Sequence, residues 1–202
     1  MFDHITKRKE LEALALKMKE RNFEVEIVAS KEAALEAIKK SLPDGAEVMT
    51  GSSTTLKEIG LMEYLSSKES KVVSIQEKIN QENDQNKRQI LRRTSVAAEY
   101  FISSVNALTE EGIIVAVDAS GSRVGAMLFA AEKLILVVGA QKITKNVEEA
   151  MQRIRDYVFP KENERAMAAY GVNSSLNKWI ILEKEVFPSR VKVILVEEAL
   201  GF

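Results

Sequence analysis

Cysteine is absent from the 202 residues. That removes disulfide staples, a thiolate nucleophile, a cysteine-ligated zinc and an iron–sulfur cluster held by this chain. Histidine occurs once, as His4 near the N-terminus, so neither a Ser–His–Asp triad nor a multi-histidine metal site can be assembled. No metal and no cofactor is expected. Long apolar runs are also missing: IIVAV from Ile113 and LILVV from Leu134 fall far short of a membrane span. The start, MFDHITKRKELEALALKMKER, is too charged for a secretory signal, and the chain reads as cytoplasmic with no membrane partner. Neither sign of charge prevails, since 29 Lys+Arg against 30 Asp+Glu give a net charge of -1. Such a chain has no field to draw in a nucleic acid. Its one basic cluster, Lys87–Arg88 with Arg92–Arg93, reads as a solvated helix face.

What is present is ordinary globular composition, 46% hydrophobic and 29% charged, with enough length for one core and one domain over 1–202. Leu11, Leu14, Ala15 and Met18 recur at helical spacing and predict a helix ending near Arg21–Asn22. Phe23 to Val28 alternates apolar and charged residues, as an edge strand would, and leaves that edge open either to solvent or to a second copy of the chain. Ser30 caps a helix through Ala34, Leu35, Ile38 and Leu42, which Pro43-Asp44-Gly45 stops. Ala46 to Thr50 predicts a strand, Leu56, Ile59, Met62 and Leu65 a helix, and Val72 to Ile75 a further strand. A polar, helix-prone stretch runs from Glu77 to Ala98. Within it, Asn80 to Gln89 reads as a mobile surface segment or partner-dependent arm.

The centre predicts four strands, at Tyr100 to Ser103, Ile113 to Val117, Val124 to Phe129 and Leu134 to Val138, because continuous β-branched runs mark strands buried on both faces. Asn146 and Glu149 are spaced to cap a helix from Val147, and Pro160 marks its end. Strands follow at Trp179 to Leu182 and Val191 to Val196. The order implies an α/β fold, a largely parallel or mixed sheet with helices on both faces. The short turns among the middle strands point to a local antiparallel or mixed patch.

Three constellations could carry chemistry. Gly51, Ser52, Ser53, Thr54 and Thr55 join a strand to a helix, where free N–H groups and hydroxyls suit a phosphate or carboxylate. Plain N-capping, with Thr55 and Glu58 as a capping box, explains the same spacing equally well. The second is Asn106, Thr109 and Glu110, followed by Asp118, Ser120, Gly121 and Arg123. It offers acid, base and hydrogen-bonding groups, with an arginine able to fork onto an anion. Two ordinary turns, with Arg123 paired to Asp118, are the plainer reading. The third is Gly139 with Lys142, where a glycine ending a central strand permits close approach and the lysine brings charge to the same edge.

GSSTTLKEIGL (Gly51 to Leu61), SSVNALTEEG (Ser103 to Gly112), DASGSRV (Asp118 to Val124), LVVGAQKIT (Leu136 to Thr144), EEAMQRIR (Glu148 to Arg155) and the terminal VILVEEALGF occur in an order that resembles the LUD (lactate utilization) domain family, its LutC/YkgG-like group. The resemblance implies a fold similar to the NagB/RpiA/CoA-transferase-like group, in which a Gly/Ser/Thr loop after a strand holds a small anionic metabolite. By the same analogy Glu110 is the candidate base or nucleophile of an isomerase- or transferase-like activity. The resemblance further implies a setting in lactate or organic-acid utilization, with redox-complex subunits as partners. This chain departs from the pattern at Ala98-Glu99, where many relatives carry Ala-Asp, and at Gly171 to Asn177, which lacks the cysteine many relatives carry.

Overall fold

A computed structural model describes residue 2 and residues 4–202. In chain order the elements are α1 (Arg8–Glu20), β1 (Glu24–Val28), α2 (Lys31–Ser41), β2 (Glu47–Thr50), α3 (Thr54–Glu58), α4 (Leu61–Leu65), β3 (Val73–Ser74), α5 (Ile75–Gln81), α6 (Gln85–Thr94), β4 (Tyr100–Ser104), β5 (Ala107–Thr109), β6 (Ile114–Asp118), α7 (Ser122–Gly125), β7 (Lys133–Gly139), β8 (Ile143–Thr144), α8 (Val147–Arg153), α9 (Phe159–Tyr170), β9 (Lys178–Leu182) and β10 (Val191–Val196). Six strands pair in the order β1-β10-β7-β4-β2-β3, every neighbour parallel. A second, mixed sheet has the order β8-β5-β6-β9, with β5 parallel to β8 and antiparallel to β6, and β6 antiparallel to β9. The mixed patch expected among the middle strands is this second sheet.

The continuous apolar runs are explained by burial on both faces. On one face of the large sheet Leu134, Leu136 and Leu195 meet Leu11, Leu14 and Met18 of α1 and Leu108, Ile114 and Ala116 of the second sheet. On the other face Ile135, Val137 and Ile194 meet Ala34 and Ile38 of α2, Leu56 of α3 and Leu61 of α4. The far side of the second sheet, through Ala107, Val115 and Val117, packs on Ala150 of α8 and on Ile154 and Val158 beyond it. Among the described residues no helix is long and apolar enough to cross a membrane.

Four expectations are corrected. Val124 to Phe129 is helical, α7 running into a π-helical segment Ala126–Ala130. An apolar run without alternation fits a buried strand and a half-buried helix alike. Here the Asp118 carboxylate accepts the N–H groups of Arg123 (2.9 Å) and Val124 (3.4 Å), and so starts a helix. Pro160 does not end the helix from Val147: the chain passes through a second π-helical segment, Ile154–Val158, into α9. Pro160 sits in the first turn of α9, where a missing N–H is tolerated. The helix through Leu56 and Leu65 is broken in two at Gly60, whose φ is 77°. Ala107–Thr109, where the sequence predicts no strand, is β5.

Candidate functional site

The carboxyl ends of β2, β4 and β6 open on one cleft of about 1310 Å³, the position where open α/β sheets bind ligands. Gly51, Ser52, Ser53, Thr54, Thr55, Asn106, Asp118, Ser120, Gly121, Arg123 and Lys142 all line it. Residues far apart in the chain are thus brought to one surface. Thr109, Glu110 and Gly139 are not among the lining residues.

Each of those three has another place. Thr109 is fully buried, and its Oγ1 accepts the Ile113 N–H at 3.1 Å, closing the turn before β6. Glu110 is exposed and lines a separate cavity of about 360 Å³ between α1 and β8. At Gly139 the close approach is made by the chain's own C-terminal segment, since a Cβ there would lie 2.6 Å from the Leu200 nitrogen and 3.0 Å from the Glu198 carbonyl.

Lys142 forms the floor. It is 2% exposed, and its Nζ donates to Thr55 Oγ1 (2.9 Å), Ser104 Oγ (3.0 Å) and the Val105 carbonyl (3.2 Å). Burial, and after it the positive charges of Arg153 and Arg123, lower its pKa to about 7, with Glu58 opposing the shift. An amine so placed changes charge near neutral pH, a property that clusters at functional sites.

Arg123 is held as a clamp. Its Nη1 donates to the Ser104 carbonyl (3.2 Å), and its Nη2 to Asn106 Oδ1 (2.9 Å) and the Val117 carbonyl (2.6 Å). Only its backbone N–H goes to Asp118, so the side-chain pair expected between the two is not formed. Asn106 is the junction: its Oδ1 also accepts the Val117 N–H at 3.0 Å, and its carbonyl accepts Arg153 Nη1 at 2.6 Å. Gly51 is needed where the Arg123 stem crosses, because a Cβ would stand 3.1 Å from Arg123 Cδ and 2.9 Å from Ser103 Oγ.

The loop is capped by Ser53, whose Oγ accepts the Leu56 N–H at 3.3 Å, and not by Thr55. Thr55 Oγ1 instead donates to the Leu200 carbonyl at 3.1 Å, and Glu58 accepts the Gly201 N–H at 2.6 Å. The terminal VILVEEALGF therefore ties the loop to the floor. Thr54 and Thr55, in the first turn of α3, line the cleft together with Ser52 and Ser53.

Two walls escaped the sequence reading. On one side α6 presents Arg88, Arg92 and Arg93, exposed as a solvated helix face should be and bordering the cleft. Asn80 to Gln89, expected as a mobile segment or partner-dependent arm, spans the end of α5 and the start of α6, whose first turn Asp84 caps by accepting from Asn86 and Lys87. On the other side α9 brings Glu162, Arg165 and Tyr170. Arg165 forks onto Glu162 through two 2.7 Å bonds, and hydrogen bonding to Arg165, then to Ser52, holds the Tyr170 hydroxyl below its usual pKa. The spacing of Arg88, Arg92 and Arg93 on one helix was the available signal for the first wall. For α9 there was none, because Pro160 read as a stop.

The model of the LUD domain matches residues 11–196. Among solved structures, a DUF162 family protein from Deinococcus radiodurans, in a crystal structure at 1.70 Å resolution, is 14% identical with a TM-score of 0.54, covering 96% of this chain and 99% of that one. A crystal structure of eIF2B delta from Chaetomium thermophilum is 15% identical with a TM-score of 0.37, covering 71% of this chain and 55% of that one. No curated protein matches the chain. The first likeness shows the same α/β fold, and with the LUD model spanning nearly the whole sequence, the chain belongs to the LUD domain family.

Proposed function

We propose that the cleft binds a small anionic metabolite bearing a phosphate or carboxylate, in lactate or related organic-acid metabolism. One observation carries the reading. Five arginines line the cleft, Arg88, Arg92, Arg93, Arg123 and Arg165, together with Lys142, whose charge changes near pH 7, against two acidic side chains, Asp118 and Glu162, so the arginines alone give an excess of three on a chain whose net charge is -1. Both carboxylates are already engaged, Asp118 by backbone N–H groups and Glu162 by Arg165. A concave site with unbalanced positive charge concentrates anions. Ser52, Ser53 and Thr54 supply the donors for direct contact, while Lys142 and Arg123, bonded to the protein, supply field. An isomerase- or transferase-like reaction using Glu110 would need its substrate in the smaller cavity that Glu110 lines.

A thermal-shift screen against sugar phosphates, acyl-CoAs, folates, nucleotides and 2-hydroxy or 2-keto acids tests the reading. A ligand at about 100 times its dissociation constant adds roughly 2.7 kcal/mol, and the shift should shrink in Arg92→Ala/Arg93→Ala, which alters an exposed helix face. If every compound leaves the folded protein's melting unchanged, the reading fails.

A further inference from the structure

Lys142 is a buried cation whose hydrogen-bond partners are two hydroxyls and a carbonyl, and no carboxylate of the described residues lies within ion-pair distance of it. The charged groups that face it are Arg153 from α8, Arg123 from α7 and Glu58 from α3. The one carboxylate of the three is engaged by the Gly201 N–H. Burying an unpaired ammonium is costly, and two neighbouring guanidinium groups add to the cost. Two events relieve it: loss of the proton, or arrival of an anion in the cleft.

The hydroxyls allow both. With the amine charged, Thr55 Oγ1 and Ser104 Oγ accept from Nζ and donate onward, to the Leu200 carbonyl at 3.1 Å and the Val105 carbonyl at 3.4 Å. With the amine neutral, either O–H can rotate and donate to Nζ instead, so no buried group loses its partner. Arginine could not serve in this way, since it does not give up its proton in proteins. Thr55, Ser104 and Lys142 all border the cleft, so the path from ligand to amine is one hydroxyl long.

We propose that an anion entering this cleft binds together with a proton drawn from solvent, which reaches Lys142 through the Ser104 or Thr55 hydroxyl, so that the site takes up ion and proton as a unit. The inference rests on the anion-binding reading above and adds to it the protonation that accompanies binding. In the free protein burial lowers the amine to about pH 7; an anion beside it raises that value, and by linkage the anion binds more weakly as the proton becomes scarce. The ligand class is an acid in its charged form, a carboxylate or a phosphate monoester. Lys142 is also thereby placed to move a proton to or from such a ligand.

Sulfate tests this cleanly, because it carries no titrating proton between about pH 5 and pH 8 and any uptake belongs to the protein. Calorimetric titration in two buffers of different ionisation heat reads the protons directly. The expected result is about one proton taken up per sulfate at about pH 8 and close to none at about pH 5, with affinity falling several-fold from about pH 7 to about pH 8. Lys142→Arg keeps the charge and should bind without uptake. His4→Asn, in the smaller cavity, should change nothing. Sulfate bound at about pH 8 with no proton uptake, or uptake that persists in Lys142→Arg, overturns the inference and leaves the anion site standing. Absence of sulfate binding at about pH 5, where Lys142 is charged, overturns both. If Lys142→Arg does not fold, the wild-type uptake at the two pH values still decides.

Discussion

Replacing Lys142 by Met is expected to flatten the rise in stability that the wild-type protein gains between pH 7 and the ordinary lysine value of 10.5. Folding lowers this pKa, so between the two values the unfolded chain holds a proton that the native state has released. Stability then increases with pH, by about 1.4 kcal/mol per unit, and the penalty of the buried charge is fully present only below pH 7. Met fills a similar volume without the charge, although it leaves the Thr55 and Ser104 hydroxyls to find other partners. The variant should therefore compare best with wild type below pH 7 and lose ground steadily above it, by roughly 4 kcal/mol across the window. Urea unfolding of both proteins over that range measures the difference, in which the titrations they share cancel. Parallel curves would show that Lys142 stays charged in the native state.

The second large effect is expected at Arg190. Its side chain and that of Glu185 are each 8% exposed and joined at 2.7 Å. Arg190 also donates to the carbonyls of Ala126, Met127 and Ala131, which belong to or follow the first π-helical segment. Glu185 accepts the N–H groups of Val186 and Phe187. Arg190→Met leaves a buried carboxylate without its cation and should cost about 3–5 kcal/mol. Adding Glu185→Leu removes the stranded charge, and the double variant should recover part of that loss. Equilibrium unfolding of the two single variants and the double variant gives the coupling. If the single Arg190→Met variant loses less than about 1 kcal/mol, the pair behaves as a surface ion pair does.

The large sheet was legible because its strands carry alternate residues into two cores, and that requires apolar side chains at nearly every position, as in LILVV. The Gly51 loop was legible as well, since a glycine followed by hydroxyl residues between a strand and a helix has few uses. Its capping residue was not: Thr55 with Glu58 has the right spacing, and only the path of the C-terminal segment shows that both serve Leu200 and Gly201. Helix and strand were confused at Val124 to Phe129 because the deciding group is the Asp118 carboxylate, a contact across five residues. The cleft's positive charge was hidden by an even balance over the whole chain. Arg88, Arg92 and Arg93 are solvated charge, as their spacing implies, and only the tertiary fold sets α6 beside the cleft. Glu110 drew attention by analogy, yet it follows the far end of β5 from Asn106 and lines the smaller cavity instead of the cleft.

The most direct test of the anion cleft is an amide chemical-shift titration of the labelled protein with a phosphate monoester. The resonances of Ser52, Ser53, Thr54, Gly121 and Arg123 should move together with one dissociation constant, while those of Glu110 and Lys145 in the smaller cavity stay still. Movement confined to the smaller cavity, or none at saturating ligand, would contradict the account.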